Sequence, residues 1–279
     1  MIISPLFKYA DIGLSFYKAS LEEKNMEKIV RLTEEKVVQE HICCAIADKK
    51  CLEGYEMKRQ WLCGEMAKGY SFYRIDARAK VFVEFGLAEE CWMPISAPNH
   101  LVLGCFWVSG QYKGRGYGKE LLKRVVDDAV KQGKDGIVAV VGAQKRPFMS
   151  DSKWLLKQGF EVCDTANPDF NMLVLRLNRK SALPQFMDCA RIGAADGAVG
   201  LTAYYSNRCP FTEYYVRHVL VETATKRSIP LRIVKIETKE QGQSAPTPAT
   251  IFSLYHNGRF VTTDLSICLD SKFDKLLAK

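Results

Sequence analysis

The stretch Val108-Ser109-Gly110-Gln111-Tyr112-Lys113-Gly114-Arg115-Gly116-Tyr117-Gly118 decides how the rest of the chain is read. It joins an apolar run, Leu101 to Val108, to a segment whose apolar residues at 121, 122, 125, 126 and 129 follow the 3.6-residue period. The spacing predicts a buried strand, a glycine-rich loop and a helix over about Tyr117 to Lys131, closed by Gly133. Glycines let successive backbone N–H groups converge, and a helix N-terminus adds partial positive charge. Lys113, Arg115 and Lys119 supplement the amides. Such a cradle suits a pyrophosphate. It lacks the Gly-Lys-Ser/Thr ending of a nucleotide P-loop. It also lacks the early G-x-G-x-x-G of a dinucleotide fold, since Gly114, Gly116 and Gly118 give G-x-G-x-G after four candidate strands.

On the N-terminal side, Ile29 to Leu32 is a short apolar opening, and Thr33 with Glu34 and Glu35 reads as a helix start. A second helix over about Glu56 to Lys68 ends at Gly69. Strands are expected at Ser71 to Ile75, Lys80 to Phe85, Cys91 to Ile95 and Leu101 to Val108. On the C-terminal side come a buried strand, Ile137 to Val141, a short helix, Asp151 to Lys157, and strands at Glu161 to Cys163 and Met172 to Leu177. A meander followed by a strand–helix–strand unit gives an α/β (α+β) mixed sheet with helices on both faces.

The chain of 279 residues is long enough for two domains. Residues 1–25 read as an N-terminal extension, 26–178 as the first domain, 179–200 as a Gly- and Ala-rich linker and 201–279 as a small second domain. In that domain a strand, Leu201 to Tyr205, precedes a helix, Thr212 to Thr225, and a strand, Leu231 to Ile236. Strands Thr250 to Tyr255 and Arg259 to Thr263 flank the hairpin signal Asn257-Gly258, and a last helix follows.

Apolar residues make up 47% and charged residues 26%, as in folded globular chains. No apolar run approaches the roughly 18 residues of a membrane span. The N-terminus lacks the basic flank of a signal peptide, so a cytoplasmic protein is expected. The net charge of +8 is split evenly, +4 before residue 201 and +4 after it. That spread argues against a nucleic-acid-binding tail. Ten scattered cysteines read as reduced thiols. His41 with Cys43, Cys44, Cys51 and Cys63 has no C-x-x-C pair, so no metal is expected. Ile42, Cys44, Ala45 and Ile46 read instead as one buried helix face.

With Gln111, Gly114 and Gly116 in place, the loop resembles the Q/R-x-x-G-x-G/A signature of the GNAT acyltransferases. The order around it is also similar: two early helices, a meander, the signature, a strand, a short helix, and Gly159-Phe160 opening a final strand pair. The resemblance covers about residues 26–178. It implies acetyl-CoA as cofactor, with the pyrophosphate on the amides from Lys113 to Gly118 and the pantetheine arm along Phe106, Trp107 and Val108. The implied reaction is direct acetylation of an amine, either a small molecule or a protein amino group. That chemistry needs a base, oxyanion donors and an acid. Where many relatives carry a tyrosine acid, this chain has Leu155, which leaves Tyr117 or a water. For the base, Glu84 is the candidate, with Glu89, Glu90, His100 and Asp76 as further choices. Trp92, Trp107, Phe72 and Tyr73 read as core or cleft lining. A CoA-binding sensor that has lost catalysis is the alternative that Leu155 favours.

Leu201 to Tyr205 followed by Ser206-Asn207-Arg208-Cys209-Pro210-Phe211-Thr212 resembles the opening of thioredoxin-like folds, and Thr247-Pro248 resembles their cis-proline. A thiol at a helix N-terminus is nucleophilic, which makes Cys209 a catalytic candidate and a thiol-redox protein a third reading. Thr212 stands where a dithiol would have its second cysteine, so a fold used for binding or packing is favoured. The whole arrangement resembles bacterial acetyltransferases with a YoaP-like C-terminal domain.

Overall fold

The computed structural model describes residues 26–42, 45, 48–195 and 199–277. The proposed extension 1–25, Cys43, Cys44 and Ile46 lie outside them. Thr33 opens only one helical turn, α1 (Glu34–Val37). Ile42 and Ala45 are buried without being helical, so a turn-by-turn helix face is not what buries them.

A seven-stranded sheet dominates the first unit. Its strands are β1 (Ile29–Arg31), β2 (Ser71–Ile75), β3 (Val81–Leu87), β5 (His100–Val108), β6 (Gly136–Gly142), β8 (Phe170–Arg176) and β7 (Glu161–Ala166), in that spatial order. All neighbours are antiparallel except β5 and β6. Helix α2 (Leu52–Met66) covers one face, over Phe72 and Phe82. Helix α3 (Tyr117–Lys131) covers the other, and its predicted apolar positions 121, 122, 125, 126 and 129 are all buried. The short helix α4 (Ser152–Lys157) is capped by the Asp151 carboxylate, which accepts the Trp154 N–H at 3.0 Å. No described helix is long and apolar enough to cross a membrane.

Two irregularities shape the centre of this sheet. Val83 pairs with Phe106 and Phe85 with Leu103, so Gly104 and Cys105 both stand opposite Glu84. This is a β-bulge, which adds a residue to β5 and sharpens its twist. Beyond it, β5 and β6 pair only at His100↔Gly136, Leu101↔Ile137 and Val102↔Val138, whereas β6 stays paired to β8 along its full length. The two parallel strands therefore part from Leu103 onward.

The expected strand at Cys91 to Ile95 shrinks to β4 (Ile95–Ser96), which pairs with β9 (Gln185–Phe186). That pairing falls inside the segment read as a linker. Together with helix α5 (Asp188–Ile192), it is anchored to the first unit: Phe186 and Ala190 are buried in its core, and Arg191 pairs with Asp164 at 2.5 Å. Residues 185–192 are thus packed against the first unit rather than free of it.

The second unit has a four-stranded sheet in the order β11 (Leu231–Lys235), β10 (Leu201–Tyr205), β12 (Phe252–His256), β13 (Arg259–Thr262). β10 and β11 are parallel and the rest antiparallel. A continuous helical stretch links β10 to β11: α6 (Pro210–Tyr214), a π-helical segment (Tyr215–Leu220) and α7 (Val221–Lys226). The short helix α8 (Lys239–Gln243) follows β11, and α9 (Asp270–Leu277) ends the described chain. The cis peptide bond among the described residues is Asn167–Pro168, so Thr247–Pro248 is trans, contrary to expectation.

The units are packed into one body. A Cβ at Gly54 of α2 would lie 2.1 Å from the Pro210 carbonyl oxygen. Thr250 donates to the Trp92 carbonyl at 2.6 Å, Lys239 pairs with Glu90 at 3.0 Å, and Gln243 donates to the Cys91 carbonyl at 3.2 Å. Trp92 and Ala195 share a buried cluster with Tyr204, Ile236, Ala245 and Tyr255.

Candidate active site at the strand split

The glycine-rich loop has the conformation its sequence requires. Gly110, Gly114 and Gly116 take φ of 59°, 74° and 86°, the left-handed region that L side chains avoid. Gly116 is the N-cap of α3 and supplies no side chain, so no side chain caps the first-turn amides of the helix. Lys113, Arg115 and Lys119 are exposed, and none forms an ion pair with a described residue. A row of amides with three unengaged cations is an anion cradle that the pyrophosphate of a coenzyme A fits. Gln111 is exposed beside it, while Gly118 packs toward the Trp154 ring.

Phe106, Trp107 and Val108 lie just upstream, on the β5 edge that β6 has left. Phe106 stacks edge-on against Trp154 at 5.3 Å, and Trp107 is 47% exposed. An extended chain laid into the split would meet backbone groups there, which is what a pantetheine arm needs.

The three residues singled out for catalysis are not gathered at one point. Tyr117 is the first residue of α3, buried in the core with its oxygen accepting the Glu27 N–H at 2.8 Å. Cys209 is 7% exposed, and Thr212 donates to both the Ser206 and Cys209 carbonyls, at 2.8 and 2.7 Å. The threonine at the missing-cysteine position thus clamps the loop. Glu84 stands opposite the bulge. It is buried and bonded to Lys58 Nζ at 2.6 Å, and it accepts the Tyr70 hydroxyl at 3.3 Å.

The remaining candidates are engaged elsewhere. Glu89 accepts the Asn99 N–H, and Glu90 holds Lys239. His100 is buried with Nδ1 2.8 Å from the Pro98 carbonyl oxygen, and Asp76 is exposed at the far side of β2. Phe72 stacks on Phe82 in the core, Tyr73 donates to Asp128, and Leu155 is fully buried.

Two residues that the sequence did not single out complete the site. Tyr70 reaches the bulge so closely that a Cβ at Gly104 would lie 2.2 Å from its hydroxyl. Burial, reinforced by the neighbouring Glu84 carboxylate, holds this phenol well above its ordinary pKa, so it keeps its proton. Arg208, from the second unit, lines two cavities that meet at Gly104. One, between Trp61, Tyr70 and Trp92, is a narrow space of about 10 Å³. The other is a cleft of about 50 Å³ between Leu103–Cys105 and Val140 of the split strands and Pro248–Phe252 of the second unit. No local periodicity marks either residue.

The acetyltransferase (GNAT) family profile matches residues 35–147 and the YoaP-like profile matches residues 230–275. The uncharacterized N-acetyltransferase YoaP of Bacillus subtilis (strain 168) is 36% identical over 248 residues, which cover 89% of this chain and 97% of that protein. Similar solved structures include the PaiA N-acetyltransferase from Thermoplasma acidophilum in complex with coenzyme A, 18% identical with a TM-score of 0.38, covering 53% of this chain and 98% of that one. Another is a GNAT family acetyltransferase from Elizabethkingia anophelis with acetyl-CoA bound, 15% identical with a TM-score of 0.36, covering 55% of this chain and 99% of that one.

Proposed function

The chain belongs to the GNAT family of acetyl-CoA-dependent N-acetyltransferases and carries a YoaP-like C-terminal unit, and from that premise we propose that its acceptor is a small primary amine admitted between the two units. The observation that carries this reading is the largely apolar cleft that opens on the strand split and is roofed by Pro248–Phe252. Small-molecule sites favour such seams between two units. The order of strands and helices in the second unit supports its thioredoxin-like reading, with the fold used as a roof and Cys209 kept as part of its packing.

Acetyl-CoA, when bound, supplies an acetyl group activated as a thioester. Lys113, Arg115 and the first-turn amides of α3 hold its pyrophosphate. The β5 edge at Phe106–Val108 orients its arm. Tyr70 holds a proton at the bulge, fixed there by Glu84, and Glu84 is in turn fixed by Lys58. The roof from the second unit excludes water from the split, which strengthens each polar contact inside.

Calorimetric titration of acetyl-CoA into the wild type and a Lys113→Glu/Arg115→Glu variant tests the cradle. Binding that falls by an order of magnitude or more in the variant supports it, since both cations are exposed and their replacement leaves the core alone. Free-thiol release on adding small amines tests the chemistry. Binding without release by any amine would sink the catalytic reading and leave the sensor.

A further inference from the structure

Arg208 is half-buried at the junction of the two cavities and forms no ion pair with any described carboxylate. One of its nitrogens donates to Thr250 Oγ1 at 3.0 Å, and its guanidinium lies 5.9 Å from the centre of the Trp61 ring. The other charged groups around the smaller cavity are already matched: Lys68 with Glu65 at 2.9 Å and Glu90 with Lys239. In the larger cleft Arg208 is the one charged side chain among the described lining residues, and the rest is largely apolar: Met93, Val140, Phe148, Met149, Ile251 and Phe252.

Removing a guanidinium from water without a counter-charge is unfavourable, and the group recurs where a carboxylate is to be held by two parallel bonds. A lone cation in an otherwise uncharged and largely apolar cleft calls for an anionic group.

Resting on the acetyltransferase reading, we propose that the acceptor amine also carries a carboxylate, an amino acid with an apolar side chain, and that Arg208 receives that carboxylate. The amine then faces the bulge at Gly104 while the side chain lies along the apolar wall. Acetylation forms the C–N bond at the amine nitrogen as the thioester C–S bond breaks, with the electron pair and one proton leaving on sulfur. The second unit thereby selects the substrate for a reaction carried out on the first.

The test compares L-leucine, L-leucinamide and 3-methylbutylamine, which share one alkyl chain, by thiol release at saturating acetyl-CoA. Leucine is expected to show kcat/KM on the order of 100-fold above the other two. The carboxamide is the less basic amine, so a larger free-base fraction would favour it and cannot produce this preference. Arg208→Met should erase the preference, and Arg208→Lys, which keeps the charge but not the fork, should keep part of it. Thermal melting of both variants separates this loss from misfolding. Equal turnover of acid and amide, a preference that survives in Arg208→Met, or no turnover of leucine by a wild type that binds acetyl-CoA would each overturn the assignment. Failure of the wild type to bind acetyl-CoA would instead remove the reading on which it rests.

Discussion

Lys58 of α2 and Glu84 of β3 form an ion pair of 2.6 Å with 1% and 2% of their side chains exposed, directly beneath the bulge of β5. Lys58 also sits 4.4 Å over the Trp61 ring, so one ammonium ties the helix, the sheet and the cavity wall together. Removing one member leaves a buried charge unmatched, a loss of roughly 3–5 kcal/mol. Lys58→Met should lower the urea midpoint markedly, and adding Glu84→Gln should recover part of the loss. A single variant as stable as the wild type would mean that water reaches the pair.

Tyr70 and Gly104 are matched in shape, since the hydroxyl occupies the space of the absent Cβ. Tyr70→Phe should reduce kcat by roughly 10²-fold, the size of a lost proton donor, with acetyl-CoA affinity unchanged. Gly104→Ala should displace the hydroxyl and show the same split between kcat and affinity. Loss of acetyl-CoA binding in Tyr70→Phe would show that the residue shapes the split rather than holding a proton in it.

The close approach of α2 to Pro210 leaves no room for a methyl group at Gly54. Gly54→Ala should push the units apart at a cost of about 1–3 kcal/mol, as overpacking does. Limited proteolysis between residues 193 and 200 should quicken in step. Unchanged proteolysis and melting would show that the interface yields elsewhere.

The loop glycines make a contrasting case. Gly114 has open space around it but φ of 74°, so Gly114→Ala carries only the left-handed backbone penalty of about 1–2 kcal/mol. The melting temperature should fall modestly, and the affinity for acetyl-CoA should fall with it. A variant that binds normally would place the pyrophosphate off this loop.

The terminal helix α9 is held by Arg227, bonded to Asp270 at 2.8 Å and Asp274 at 2.8 Å. The Arg227 and Lys226 bonds hold the Asp270 carboxyl down at about 2, below its ordinary range. A depressed carboxyl stabilises the fold fully above the ordinary range and loses that contribution as pH falls toward 2. The protection factors of the α9 amides should therefore fall between about pH 4 and pH 2, and Arg227→Met should abolish that step. Protection independent of pH over this window would exclude the carboxylates as the clasp.

What the amino-acid sequence determined by itself was local. The amphipathic period from Leu121 to Ala129, the glycines whose φ turned out positive, and the Asn257-Gly258 turn each depend on a few neighbouring residues. The helix, the loop before it and most strands were legible for that reason. Alternation and period say nothing about which distant segments meet. Residues 179–200 looked like a tether because small residues suit both a loop and a tight contact, and only Phe186 and Ala190 in the core show that part of the segment packs.

Tertiary structure alone formed the cleft proposed for the acceptor. The parting of β5 from β6 depends on a bulge whose extra residue shows only against the register of β3. Tyr70 is a plain aromatic before a strand until Gly104 is found to leave room for it. Arg208 reads as a solvated loop charge until the second unit docks and closes it into a cleft whose other walls, Met93 to Ser150 and Pro248 to Thr263, are distant in sequence on both sides. Contacts of that range are set by how whole faces pack, and the free energy that selects them is spread over the interface, so no short stretch of sequence records it.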